Sequence, residues 1–382
     1  MSSALVNARV LTPEGWRDDC GVLIEGARIA AVLPANDSRL RGSEPHDLGG
    51  CALLPGFIDC QVNGGGGVLF NDASDLAGIR AIAAAHRRFG TTALLPTLIS
   101  APAEHMQRAL HAVDAAIAAE VPGVLGIHLE GPYLAPQRKG VHDASLLRAP
   151  DAAETAVAGS LTRGRTLMTL APERVPEEFL RRLVDAGVIV SAGHTAGDYA
   201  AIRRGLDCGV RGFTHLFNAM SPLASRAPGA VGAALEDPAS WCGVIVDGRH
   251  VHPATLRVAL AAKPRGKIFL ITDAMPPAAG GAASFTMNGA PVTVNRGACE
   301  TADGVLAGSI LTLRDAVRNA VELLGLPLAE AARMASTYPA DFLGLEKTHG
   351  RIAARWRADF TVMDSAFNVR ETWIGGERYG PT

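Results

Sequence analysis

Read for apolar and polar positions alone, the chain changes character twice. Its first stretch alternates in short runs, "ALVNARVL", "GVLIEG" and "ARIAAVLP", with Gly or Pro between them. The stretch "GRIAARWRADFTVMDSAFNVRETWIGGERYG" near the other end reads the same way. Alternation of period two, cut by turn residues, predicts β-hairpins at both ends. In between, short apolar runs alternate with Ala-rich helical stretches such as 76–89, 103–120 and 176–186. Eight of the apolar runs read as buried strands: 56–61, 92–96, 124–129, 166–170, 188–192, 212–215, 243–247 and 267–272. Strands that alternate with helices predict a parallel sheet. Eight of them predict an α/β fold of the (β/α)8 TIM-barrel type, and a doubly wound open sheet satisfies the same count. The expected organisation is a small β-sandwich domain built from residues 1–54 and 346–382, with a catalytic barrel over 55–345.

Composition narrows the function classes. The 382 residues carry 36 Lys and Arg against 38 Asp and Glu, a net charge of −2, with the two signs interspersed. Without a basic run, nucleic acid is not an expected partner. The six cysteines are scattered and form no C-x-x-C, which argues against a disulfide framework and for a reducing, cytoplasmic setting. The first residues, "MSSALVNARVLTPEGW", have no basic region followed by an apolar core, so no signal peptide is expected. No apolar run is long enough to span a bilayer, so a membrane is not expected either.

Polar residues gather just after the predicted strands. "GIHLEGP" supplies Glu130, "VSAGHTAG" His194, "GFTHLFNAM" His215, "VIVDGRHVH" Asp247, His250 and His252, and "FLITDAM" Asp273. In a barrel these ends face one shared pocket. Each residue alone has an ordinary reading: Glu130 and Asp273 as turn caps, His194 as a loop histidine, His215 as a hydrogen-bonded core residue. Four such coincidences at strand ends favour a site. One carboxylate and two imidazoles make a three-ligand set for a divalent ion, with a position left for water. Zn²⁺ suits this set best, and Fe, Co or Mn would depend on availability. Asp273 then reads as the general base that takes a proton from that water and returns it to a leaving amine.

The stretch "LLPGFIDCQVNGGGG" qualifies this reading. Many metal hydrolases carry His-x-His at such a strand end, to hold a second ion. Here the two places are Gln61 and Asn63. Neutral amides are poor partners for an ion that prefers imidazole and carboxylate. One ion per chain is expected, with Gln61 and Asn63 packed beside the site or touching the substrate. Arg226 in "SRAPG" reads by itself as a solvated charge, although a planar guanidinium also suits phosphate.

The runs "PGFIDCQVNGGGG", "GIHLEGPYLAPQRKGVH", "SAGHT", "THLFNAMSPLASRAPG", "VDGRHVHP", "LITDAMPPAAG", "LAGSILTL" and "STYPADFLGL" resemble, in order, the N-acetylglucosamine-6-phosphate deacetylases of the amidohydrolase superfamily. The resemblance covers almost the whole chain. Its most specific parts are "HLEGP" and "THLFNAM". It implies a (β/α)8 barrel with a β-sandwich made from both termini. It also implies hydrolysis of the acetamide of N-acetylglucosamine 6-phosphate to acetate and glucosamine 6-phosphate. By motif, it makes Glu130, His194 and His215 the metal ligands and Asp273 the base. It makes His250 a catalytic group that polarises the carbonyl or binds substrate, and His142 a sugar contact. It assigns Asn218 and Ala219 to the phosphate through their backbone, and Arg226 to the phosphate, reaching into the partner's site of a homodimer. The chain departs from the family pattern at Arg355-Trp356 and over 279–283. Two other readings compete. One is a deacetylase of a different N-acetylhexosamine phosphate or N-acyl compound; the other is a non-catalytic sugar-phosphate sensor.

Overall fold

The computed structural model describes residues 2–151 and 153–380. Met1, Ala152, Pro381 and Thr382, which include the outer ends of the expected terminal ranges, lie outside the described residues. Eight parallel strands form one sheet: β1 (Phe57–Val62), β2 (Thr91–Ile99), β3 (Gly126–Glu130), β4 (Arg165–Leu170), β5 (Ile189–Ala192), β6 (Gly212–Phe213), β7 (Trp241–Val244) and β8 (Ile268–Leu270). Each pairs with the next in chain order. The ring closes beyond β8, where Val62 bridges Ala274 in parallel and the Asp273 N–H donates to the Gln61 carbonyl at 3.1 Å. The buried Asp59 reinforces the seam by accepting from the Thr272 N–H at 3.2 Å and its hydroxyl at 2.6 Å. This closure decides between barrel and open sheet.

Local sequence explains the elements. The helix Leu76–Arg87 begins at Asp75, whose carboxylate accepts from the Gly78 N–H at 2.8 Å. It buries Ile79, Ile82, Ala83 and His86, at spacings of three, four and seven from Ile79, against the barrel. β2 outruns its expected end at Pro96, because that proline sits at an irregularity of the β1–β2 register, where no ladder donor is required. β6 stops short of its expected end because His215 leaves the strand with φ +34°.

Both termini contribute to a six-stranded sheet in the order Glu377–Tyr379, Val369–Ile374, Phe360–Met363, Ala52–Pro55, Arg9–Thr12, Gly15–Arg17. A four-stranded sheet, Arg28–Pro34, Cys20–Glu25, Ser2–Val6, Glu44–Asp47, shares one buried core with it through Leu5, Val22, Ile24, Val10, Leu53 and Phe360. The chain passes from this sandwich into β1 at Gly56, where a Cβ would come within 2.2 Å of Thr92 Oγ1. Among the described residues, no helix is long and apolar enough to cross a membrane.

One element was not expected. After β8 the chain forms a four-stranded antiparallel sheet, Ser284–Met287, Ala290–Asn295, Ala298–Thr301 and Leu306–Ser309. The Pro- and Gly-rich segment before it is largely buried and bonded to the glycine run after β1. The N–H groups of Gly64, Gly66 and Gly67 donate to the carbonyls of Ala274, Ala278 and Pro276 at 2.8–2.9 Å. That run therefore fastens a loop, and its donors are not offered to a ligand.

Candidate metal centre and active-site cleft

Glu130 is the last residue of β3, and the other candidates follow strand ends. His194 lies just past β5, His215 past β6 and Asp273 past β8, with φ +47°, +34° and +52°. Non-glycine residues rarely adopt this left-handed region, and the cost is borne where the surroundings enforce it. Here it turns three side chains inward to meet Glu130.

The three ligand atoms converge. His215 Nε2 lies 3.0 Å from Glu130 Oε1 and 3.1 Å from His194 Nε2, and His194 Nε2 lies 3.3 Å from the same carboxylate oxygen. Four ligands at about 2.1 Å in a tetrahedron would be about 3.4 Å apart, so these spacings fit a small divalent ion. The donor chemistry agrees. His194 Nδ1 must donate to the Arg138 carbonyl at 2.7 Å, which leaves a lone pair on Nε2 facing the carboxylate. All three residues are buried, and their ligand atoms lie close enough together to hold one cation. Burial pushes the Glu130 carboxyl up, but the two histidines outweigh it and hold the group well below the usual carboxylate range.

Asp273 sits beside this set. Burial and the negative charge of Glu130 raise its pKa, opposed by His215, His250 and the Asn63 amide. Its Oδ1 accepts from Asn63 Nδ2 at 2.6 Å and from Gln61 Nε2 at 3.1 Å, and Gln61 Nε2 also reaches Glu130 Oε1 at 3.0 Å. His250 Nδ1 lies 2.6 Å from Asp247 Oδ2. Burial works to raise the Asp247 carboxyl, yet the His250 ring and the N–H groups of His250 and Arg249 leave it below its ordinary value. A carboxylate there fixes the proton on Nδ1 and leaves the Nε2 edge for the cleft. His142 Nδ1 accepts from the Ser100 N–H at 3.3 Å and faces its hydroxyl at 2.8 Å, so Nε2 carries the proton. Burial, with the nearby His194, depresses its pKa to about 3, so the ring is a neutral donor.

These groups open on a cavity of about 360 Å³ lined by Asn63, Glu130, His142, His194, His215, Asn218, Ala219, His250 and Asp273, among others. Two expected substrate contacts do not reach the wall. Gln61 is 2% exposed and lies behind the carboxylates, because its amide is drawn in by two acceptors at once. Arg226 is exposed, at the tip of a tight turn in which Ala224 and Ala227 exchange backbone hydrogen bonds of 3.0 and 3.3 Å. It is not among the residues that line the cavity and has no ion-pair partner among the described residues. The sequence reading passed over Gln137, Arg138, Met275, Met287 and Gly308, which also line the cavity. It also passed over His128, buried between Thr97 at 3.2 Å and Thr169 at 2.7 Å on neighbouring strands.

Residues 52–379 match the model of the Amidohydrolase family. The chain belongs to that family. It is 39% identical to an N-acetylgalactosamine-6-phosphate deacetylase of Shewanella sp. (strain ANA-3), over 97% of this chain and 94% of the relative. It is 34% identical to an N-acetylglucosamine-6-phosphate deacetylase of Haemophilus influenzae, over 99% of each chain. The crystal structure of N-acetylglucosamine-6-phosphate deacetylase from Pasteurella multocida superposes with a TM-score of 0.96 at 34% identity, covering all of both chains. The family, the full-length coverage and the carboxylate–imidazole cluster together make this chain an amide-cleaving hydrolase.

Proposed function

We propose that this amidohydrolase removes the acetyl group of N-acetylglucosamine 6-phosphate, giving acetate and glucosamine 6-phosphate. The observation that carries the reading is the convergence of Glu130, His194 and His215 beside an aspartate that is no part of the ligand set. Glu130, His194 and His215 would hold one divalent ion, with Zn²⁺ the best match to their donors. Such an ion supplies a Lewis acid for the amide carbonyl and lowers the pKa of water. The remaining work falls to side chains. Asp273 keeps Oδ1 under the amides of Gln61 and Asn63, and its Oδ2 takes a proton from the attacking water. The water oxygen bonds to the acyl carbon. As the C–N bond breaks, Asp273 returns the proton to the amine nitrogen. His250, steadied by Asp247, orients the carbonyl, and His142 donates to a sugar hydroxyl.

The phosphate needs a cation; Arg138 lines the cleft, and Arg226 is the second candidate. Arg226, on its projecting turn, suits the site of a second copy of the chain, so a homodimer accompanies this reading. Asn218 and Ala219 face the phosphate from within. A second reading is the C4 epimer, N-acetylgalactosamine 6-phosphate, and the Shewanella relative supports it. Acetate release from both sugar phosphates and from free N-acetylglucosamine, with metal analysis of the same sample, tests all of these. A kcat/KM for the gluco substrate at or above that for the galacto substrate supports the first reading. The reverse order establishes the second. No acetate from either sugar phosphate refutes both.

A further inference from the structure

The residues that line the cleft are of two chemical kinds: titratable and hydrogen-bonding groups, and an apolar set of Ile99, Val141, Met275, Met287, Leu306 and Ala307. Ile99, Met275, Met287 and Ala307 are no more than 6% exposed and belong to one small cluster that the main barrel core does not include. Met287 and Ala307 come from the sheet inserted after β8.

That sheet is joined directly to the segment carrying Asp273. The Ser309 N–H donates to the Asp273 carbonyl at 2.9 Å, and the Met275 N–H donates to the Ser309 carbonyl at 2.9 Å. Gly308, with φ +78°, lies against the Met275 side chain: a Cβ there would come within 2.6 Å of Met275 Cγ and 2.7 Å of the Asp273 carbonyl. The inserted sheet thus fixes Met275 and brings Met287 to the same apolar lining, next to the proposed base.

The hydroxyls and phosphate of an N-acyl sugar phosphate need hydrogen-bond partners, and its acyl chain can use none. With the acyl carbon between the ligand set and Asp273, the apolar lining is what remains for the acyl chain. We propose that Met275 and Met287 form the acyl-chain subsite, and that Met287 sets the acyl length the enzyme accepts. The inference rests on the deacetylase reading and adds its acyl selectivity. Methionine is unbranched and adaptable, so discrimination should be graded, with each methylene costing about tenfold or more in kcat/KM.

The test compares N-acetyl, N-propionyl and N-butyryl hexosamine 6-phosphates in the wild type, Met287→Ala, Met275→Ala and Met287→Leu. Met287→Ala should raise the propionyl-to-acetyl ratio of kcat/KM about tenfold, the worth of one methylene. Met287→Leu, of similar volume, should move it by less than about threefold. A second readout needs no sugar: calorimetric binding of acetohydroxamate and butyrohydroxamate to the metal-loaded protein. The butyro-to-aceto affinity ratio should rise in Met287→Ala by a similar factor. Should the wild type turn over no acyl sugar phosphate, the deacetylase reading falls, and the hydroxamate ratio alone decides for or against the subsite. Should Met275→Ala fail to fold, Met287→Ala decides. Unchanged ratios in both measurements, in folded Met287→Ala protein, overturn the proposal.

Discussion

Replacing Asp273 with Asn isolates the proposed proton transfer, because the surroundings tolerate the change. Asn63 and Gln61 direct their N–H groups at Oδ1, at 2.6 and 3.1 Å. An asparagine keeps an oxygen in that place and puts its NH₂ where Oδ2 stood. Shape and both hydrogen bonds survive, and the basic atom is lost. Neutralising the group also removes a negative charge that Glu130 opposes, so the variant should fold at least as well as the wild type. Loss of a general base costs about 10²–10⁴ in rate, or about 3–5 kcal/mol on the barrier. Substrate binding uses other groups, so KM should stay within about threefold. The assay is acetate release over a range of substrate, with metal content and melting temperature measured on the same preparation. One retained equivalent of metal, an unchanged melt and the stated fall in kcat fit the argument. A kcat within tenfold of the wild type would refute Asp273 as the base. Loss of the metal would make it a ligand instead.

Arg226→Ala should raise KM for the phosphorylated substrate about 10- to 100-fold, the worth of a charge-assisted contact, and leave the slow reaction of free N-acetylglucosamine nearly unchanged. Equal losses on both substrates would mean a structural role. Mixed dimers of Arg226→Ala and Asp273→Asn chains should regain activity if the arginine crosses the interface, measured against a demonstrated mixed-dimer population. Stepwise addition of Zn²⁺ to chelator-treated protein should restore activity with a break at one equivalent and raise the melting temperature. At a thousandfold excess over Kd the gain is about 4 kcal/mol, and Glu130→Gln should abolish most of it. Gly65→Ala should lower stability to urea by about 2–4 kcal/mol. Its Cβ would come within 2.4 Å of His86 Nε2 and displace the buried bond from that nitrogen to the Gly64 carbonyl; an unchanged midpoint would show that the pair is dispensable.

The barrel was legible because its strands are apolar runs that end in polar residues, and Glu130, His194, His215 and Asp273 are those ends. The left-handed backbone of His194, His215 and Asp273 was not legible, since these residue types do not announce it. The inserted sheet left signals that went unread. Asn288-Gly289 and Arg296-Gly297 have positive φ at both residues, the pattern of two-residue hairpin turns. They sit between Met287 and Ala290 and between Asn295 and Ala298, where the ladders turn. Asn-Gly between short alternating runs would have announced the first hairpin; Arg-Gly is a weaker signal, and the surrounding Pro and Ala masked both. The Arg138 carbonyl that fixes His194 had no signal at all, because any residue supplies a carbonyl. Arg226 is the reverse case: its motif was plain, yet its place on an exposed turn outside the cleft appears only in three dimensions.

Gln61 and Asn63 show why the expected single ion follows from the amides themselves. The orientation of a carboxamide is fixed by its neighbours. Here the neighbours are carboxylate oxygens of Glu130 and Asp273, which only accept. Both side chains therefore present N–H to these carboxylates, and their own oxygens, Gln61 Oε1 and Asn63 Oδ1, are buried without a hydrogen-bond partner among the described residues. A second cation at this place would meet N–H hydrogens instead of lone pairs. Turning the amides over to coordinate it would set their oxygens against two carboxylates and remove both donors that hold Asp273 Oδ1. The positions that could have held a second ion instead hold Asp273 Oδ1 with two hydrogen bonds. Asn63→Ala, which removes the shorter of those bonds, should therefore lower kcat while leaving the metal content at one equivalent. Asn63→His should not raise that content above one while Gln61 stays in place, because Gln61 keeps its N–H directed at both carboxylates. Two tightly bound equivalents in Asn63→His, by metal analysis after exhaustive dialysis, would show that the amides are not what limits the site to one ion.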